Sequence, residues 1–193
     1  MKENTHFSVS DRSRPLAYYS QEMIKPSSST FLAIYTRPVL LYSKSPDWLE
    51  DIWFQLKTTV IELDGDQPLR LPAGTGPRID DIQVIEIRKY TSFPPANRIS
   101  VGRDDDNDIV FAHEAISKVH AYLMETEAGE SYEITDANST NGTRVNDEEL
   151  PAFQVQLLIN LDQIEFGKVV RAIYLTPRGF YKFLQDLVRA GII

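Results

Sequence analysis

Between Ile82 and Leu175 the chain is a succession of short runs rich in Val, Ile, Leu and Tyr, separated by Gly, Asn, Asp and Pro. The runs are Ile82–Tyr90, Arg98–Gly102, His120–Thr126, Tyr132–Thr135, Gln156–Leu161, Gln163–Phe166 and Val169–Leu175. Each is strand-sized, and turn residues recur at roughly 8–12 positions, the pattern of an antiparallel β-sandwich. The predicted architecture is therefore mainly β, with the sandwich over 82–176.

The flanks read differently. Residues 1–30 are polar and end in Pro26-Ser27-Ser28-Ser29-Thr30, which predicts a mobile arm. Residues 31–81 form an α/β extension. Within it, Phe31–Tyr35 and Val39–Tyr42 are predicted as two short strands around Arg37-Pro38. Ser45-Pro46 is a helix start, with Ser as cap and Pro at the first helical position, where no N–H is needed. Trp48, Leu49, Ile52, Trp53 and Leu56 follow at helical spacing and predict a helix near 46–57. Residues 64–80 are rich in Pro, Gly and Asp, a linker or long loop. Thr176-Pro177 opens a C-terminal amphipathic helix over 177–193, with Phe180, Phe183, Leu184, Leu187 and Val188 on one face.

Composition narrows the function classes. The 193 residues carry a formal net charge of −8, concentrated in 82–176, which argues against a general nucleic-acid binder. No cysteine is present, so there is no disulfide framework, thiol nucleophile or Cys-based metal site. No apolar run approaches the roughly 20 residues that span a bilayer, and the first 30 residues lack a signal-peptide core. The expectation is a soluble cytoplasmic protein with no membrane or nucleic-acid partner and no cofactor or metal.

Three segments concentrate the polar chemistry: Val101-Gly102-Arg103 with Asn107-Asp108-Ile109-Val110, then Ile116-Ser117-Lys118-Val119-His120-Ala121, then Asp136-Ala137-Asn138-Ser139-Thr140-Asn141-Gly142-Thr143-Arg144-Val145-Asn146. Each lies at a strand end or in a loop, and such loops gather at one end of a sandwich. A guanidinium, an ammonium, two hydroxyls and a carboxamide then converge with no acid or base among them. That set suits a tetrahedral dianion: Arg103 offers a fork of donors, Lys118 a point charge, Ser117 and Thr140 hydroxyls. Asn141 carries both C=O and NH₂, the pair needed to grip a peptide main chain. A phosphorylated Thr, with about −1.5 to −2 charge and three acceptor oxygens, is one such dianion.

In this order, Gly102-Arg103, Ser117-x-x-His120 and Ser139-Thr140-Asn141-Gly142-Thr143 resemble the forkhead-associated (FHA) domain, and Asp162-Gln163-Ile164-Glu165-Phe166-Gly167 is similar to its closing segment. The resemblance covers about residues 82–176. It implies that Arg103 and Ser117 bind phosphate, that Thr140 adds a polar contact and that Lys118 often helps. It further implies that Asn141 fixes the peptide main chain and that Gly102, His120 and Gly142 support the site. The implied function is non-enzymatic binding of phosphothreonine peptides from partners of Ser/Thr kinases. Two departures stand out. Asp147 occupies a position often held by Gly, and Asp104–Asp108 is a strongly acidic loop beside Arg103, which predicts a preference for ligands with Lys or Arg near the phosphothreonine.

Other chemistries fit less well. Ser117 and His120, three apart in a strand, point to opposite faces and make no nucleophile–base pair. Asp104, Asp106 and Asp108 alternate like a calcium loop, yet Ile109 and Ala115 occupy positions that need Gly and Glu, so a solvated turn is expected. The alternative function is a constitutive scaffold that uses the N-terminal extension and the helices, with the phosphate pocket secondary.

Overall fold

Val39-Leu-Leu-Tyr-Ser43 has no polar alternation, and every one of its residues is buried. A strand covered on both faces must lie inside a layered structure, and this one does. The computed structural model describes residues 12–19, 27–43, 81–91, 97–126 and 131–189. Within them the strands are β1 (Ser13–Pro15), β2 (Val39–Ser43), β3 (Ile82–Glu86), β4 (Ile99–Gly102), β5 (Ile109–Val110), β6 (Ala121–Glu125), β7 (Tyr132–Asp136), β8 (Thr143–Val145), β9 (Glu148–Leu150), β10 (Val155–Leu158), β11 (Gln163–Phe166) and β12 (Val170–Leu175). The helices are α1 (Ser28–Ile34) and α2 (Pro177–Arg189), with a 3-10 turn at Leu16–Tyr18.

The strands form two sheets, ordered β1-β3-β2-β12-β11-β8-β9 and β10-β7-β6-β4-β5. All pairs are antiparallel except β4 with β5. Period-2 alternation sorts the side chains. Leu40 and Tyr42 of β2, Ala172 and Tyr174 of β12, and Ile134 of β7 enter the core between the sheets. Val39, Leu41, Ile173 and Leu175 point the other way and pack under the helices. The result has three layers: sheet, sheet, helices.

The C-terminal helix begins where the sequence predicts. Thr176 Oγ1 accepts the Gly179 N–H at 3.1 Å, and its own N–H and hydroxyl both donate to Asn160 Oδ1 (3.0 and 3.1 Å). Phe180, Phe183, Leu184 and Leu187 are all buried against the larger sheet and Phe31 of α1. At about 1.5–3 kcal/mol for each fully buried large side chain, that face anchors the helix to the sandwich. It is core, not a waiting interface.

Three sequence expectations are corrected here. Phe31–Ile34 is helical rather than extended, because a helix sets Phe31 and Tyr35 on one face, where their rings stack at 4.5 Å and Phe31 meets Tyr181 at 4.9 Å. A short apolar run carries no periodicity that separates the two states. β2 belongs to the sandwich itself, between β3 and β12, rather than to a separate extension. Part of the supposed arm is structural: Ser13–Pro15 pairs with β3, and Leu16 is fully buried. The helix expected near 46–57 lies outside the described residues.

The departure at Asp147 is accommodated by the backbone. Val145 pairs with Glu148, so Asn146 and Asp147 form a two-residue hairpin loop with φ of 51° and 67°. Such turns favour Asn-Gly because both positions are left-handed. Asn146 is further fixed: its Oδ1 accepts the Gln163 N–H (3.0 Å) and its Nδ2 donates to Asp162 Oδ1 (2.8 Å). Asp147→Gly removes the steric cost at the second position but adds unfolded-state entropy, and the first effect wins by about 0.5–1 kcal/mol. Calorimetry should show a melting temperature higher by about 1–4 °C; a decrease would contradict this account of the turn.

Candidate functional site

The loops leaving β4, entering β6 and joining β7 to β8 meet at one end of the sandwich, held by main-chain contacts. Arg103 N–H donates to Ser117 O (3.0 Å), and His120 N–H donates to Val101 O (2.7 Å). Gly102 is required by close approach: a Cβ there would collide with the Lys118 carbonyl and the Asn107 side chain. Asn107 occupies that space, donating Nδ2 to Asp104 O (2.8 Å) and Lys118 O (2.6 Å), and so clamps the Arg103 loop to the Ser117 loop.

Ser117 is shared between two loops. Its Oγ accepts the Thr140 N–H at 3.0 Å and lies 3.4 Å from Thr140 Oγ1. Its N–H donates to His120 Nδ1 (3.2 Å). That makes Nδ1 the acceptor, so Nε2 carries the proton and donates to Gly142 O (3.1 Å). His120 is completely buried, and burial pushes its pKa below 6.5, although the Gly142 carbonyl and Asp136 favour the cation. The imidazole is a neutral brace with both nitrogens used internally. It meets the serine's backbone rather than its hydroxyl, so the two are not arranged for nucleophilic catalysis.

The β7–β8 loop is built on Asp136, which the sequence places in the third polar segment without a role. Its carboxylate accepts from Ser139 N–H (2.8 Å), Ser139 Oγ (2.7 Å) and Thr143 Oγ1 (2.6 Å). Burial raises its pKa, but the bonds from Thr143 and Ser139 outweigh burial and hold it below the ordinary value. Ser139 Oγ accepts the Gly142 N–H (3.1 Å), and Gly142 takes φ of +80°, a conformation natural to glycine. The Asp-x-x-Ser spacing was the available signal, since Asp and Ser cap local turns in this way.

On this scaffold Arg103, Lys118, Thr140 and Asn141 are exposed and Ser117 is half-buried. Arg103 is loosely held, with Nη1 3.4 Å from both Glu114 O and Ile116 O and Nε 3.7 Å from Asp104. Asn141 donates Nδ2 to Ala115 O (2.8 Å). The five predicted site residues are therefore on loops of one rim. The acidic loop divides: Asp105 and Asp106 are exposed and Asp104 is half-buried, whereas Asp108 is fully buried, contrary to the expected solvated turn. Its carboxylate accepts bonds from Lys89, Tyr90, Thr91 and Ser100. Among the described residues, no group of three or more His, Asp or Glu side chains is placed to hold a metal ion.

Residues 99–167 match the sequence model of the FHA domain. Among solved structures, Mycobacterium tuberculosis EmbR in complex with a low affinity phosphopeptide is 28% identical, covering 42% of this chain and 20% of its own, with a TM-score of 0.37. This chain thus spans about a fifth of that protein's length. The FHA domain of an Arabidopsis thaliana hypothetical protein is 26% identical, covering 52% of this chain and 78% of its own, with a TM-score of 0.41. The N-terminal FHA domain of S. cerevisiae Rad53p in complex with a phosphothreonine peptide is 21% identical, covering 44% and 72%, with a TM-score of 0.38. No curated protein matches the chain.

Proposed function

The chain carries an FHA domain, and on that premise we propose that it is a non-catalytic reader of phosphothreonine peptides that recruits proteins phosphorylated by Ser/Thr kinases. The observation that carries this reading is the gathering of Arg103, Ser117, Lys118 and Thr140 on one open rim, with the neighbouring imidazole sealed into the scaffold. Arg103 supplies a planar fork and Ser117 a hydroxyl to the phosphate; Thr140 and Lys118 add a second hydroxyl and a point charge. Asn141, anchored through its Nδ2, offers its carbonyl oxygen to a peptide N–H.

Asp105 and Asp106 are exposed next to this rim and Asp104 is half-buried, so their field favours Lys or Arg beside the phosphothreonine. Asp108 takes no part in that preference. Affinity in the micromolar range, roughly −7 to −9 kcal/mol, is expected. Pull-down from matched phosphothreonine, phosphoserine and unphosphorylated peptide libraries tests the reading. Retention of the phosphothreonine set, enriched in basic flanks, is the expected result; equal retention of unphosphorylated peptides rejects the function, and acidic flanks reject the flank preference.

A further inference from the structure

Alternation along three strands gathers a second set of charged side chains on the helix side of the larger sheet. Val84 and Glu86 share one face of β3; Arg14 of β1 pairs with Val84, and Val39 of β2 pairs with Glu86. Val39 and Val84 pack beneath the helices, which places Arg14 and Glu86 on that side. With Arg12, Arg37 and Arg88 they line an open cavity of about 370 Å³, large enough for a small ligand. The cavity lies away from the loop rim. Val39 pairs with Leu175, the last residue of β12, whereas Val170, its first, pairs with Phe166, which in turn pairs with Thr143 beside the rim.

Among the described residues, four arginines thus surround a single acid, in a chain whose net charge is −8. Internal partners leave much of this positive charge unmet. Glu86 lies 3.9 Å from Arg37 and 3.6 Å from Arg88, long contacts between half-exposed side chains that contribute little. Arg88 and Arg12 stand over the Tyr90 ring at 4.4 and 5.1 Å, and Arg14 over the Tyr18 ring at 4.4 Å. A guanidinium over a ring uses its π face there and keeps N–H donors at its edge. Arg12 is anchored, its Nη1 donating to Asn107 O and Asp108 O (2.8 and 3.1 Å). The Arg14 guanidinium has no hydrogen bond or ion pair among the described residues.

We propose that this cleft binds a compact anion with two linked phosphates. The charge sets the number of phosphates: four guanidiniums against one carboxylate leave three positive charges, and a single phosphate, at about −1.5 to −2, meets only part of them. Geometry sets the class. A carboxylate presents two oxygens in one plane and suits a single fork, whereas linked phosphates present oxygens in several directions. Forks arriving from the chain around β1, β2 and β3 can share these. The rest of the surface sets the size. An extended polyanion, such as RNA or an anionic membrane, would also meet an acidic exterior that includes the exposed Asp105 and Asp106, while a ligand seated in the cavity does not. The inference does not depend on what the loop rim binds.

Calorimetric titration of the full chain, without divalent cations, against pyrophosphate, ADP, orthophosphate and citrate tests this. Pyrophosphate or ADP should bind at least about tenfold more tightly than orthophosphate and citrate. Tighter binding of ADP assigns a nucleoside-borne diphosphate, tighter binding of pyrophosphate a free one, and equal affinities show that the diphosphate alone is read. Arg14→Gln, at an exposed position, should weaken the preferred ligand at least about tenfold. Glu86→Gln keeps the shape of a half-exposed side chain and removes the opposing charge, so it should tighten binding about fivefold. Misfolding cannot produce such a gain. Absence of binding up to about 10 mM, equal affinity for orthophosphate or citrate, or an affinity unchanged in either variant overturns the proposal.

Discussion

Asp108→Ala is expected to destabilise the fold by roughly 3–5 kcal/mol, a loss that chemical denaturation will read directly. The carboxylate has no exposed surface and accepts six hydrogen bonds. Oδ1 receives the Tyr90 and Thr91 N–H groups (2.7 Å each) and Thr91 Oγ1 (3.0 Å). Oδ2 receives Lys89 Nζ (2.8 Å), Ser100 N–H (2.9 Å) and Ser100 Oγ (3.1 Å). Alanine strands these donors, including three main-chain N–H groups and a partly buried ammonium, at the point where residues after β3 meet the loop between β4 and β5. The same knot positions Arg103, five residues away, so peptide binding should fall with stability. Asp106→Ala, on the exposed side of the same loop, should change stability by less than about 0.5 kcal/mol. Comparable losses in the two variants would show that loop charge, rather than the buried knot, governs stability.

The knot also sets an acid limit. Burial raises the pKa of Asp108, but the bonds from Lys89, Ser100, Thr91 and Tyr90 prevail and lower it from 3.8 to about 2. A carboxyl that is more acidic when folded stabilises the native state above its unfolded pKa, and this contribution fades as pH falls towards the folded value. Stability should therefore decline between about pH 5 and pH 2, by of order 2 kcal/mol from Asp108. Asp136, also lowered, adds to the loss with the same sign. Denaturation midpoints measured over that range should slope downwards with acidity, and less steeply in Asp108→Asn than in wild type.

Asp108 also shows where sequence reading stops. Most strand runs from β3 onwards, though not the short β5, β8 and β9, are legible because alternation is local: Tyr132, Ile134 and Asp136 turn inwards while Glu133 and Thr135 stay half-exposed. The start of α2 is legible for the same reason, since Thr176 and Pro177 act within one turn. By contrast, the inward turn of Asp108 depends on donors 8 to 19 positions away, and nothing in Asp104-Asp105-Asp106-Asn107-Asp108 distinguishes the last carboxylate from the others. β2 reads as a strand but not as a member of this sheet, because its neighbours β3 and β12 lie far along the chain. The rim residues were legible as a set through their spacing. The side chains beneath them (Asn107, Asp136, Ser139) were not assigned as supports: Asn107 bonds main-chain carbonyls that any sequence supplies, and the Asp136 carboxylate is tied to the Ser139 and Thr143 hydroxyls only once the loop has closed.

Arg103→Ala should weaken phosphothreonine-peptide binding at least tenfold while leaving the fold within about 0.5 kcal/mol of wild type. The guanidinium is exposed and its internal contacts are long (3.4, 3.4 and 3.7 Å), so little stability depends on it. Its donors are correspondingly available to a dianion, and a charge-assisted bond contributes about 1.5–3 kcal/mol. Arg103→Lys keeps the charge but loses the fork, and should recover only part of the affinity. Ser117→Ala separates ligand from scaffold differently. Its Oγ also receives the Thr140 N–H, so its removal should loosen the β7–β8 loop as well as delete the proposed phosphate donor. Calorimetric titration of one phosphothreonine peptide against the three variants, with thermal melts alongside, distinguishes these roles. If Arg103→Ala binds as tightly as wild type, the rim is not the phosphate site, whatever its resemblance to one.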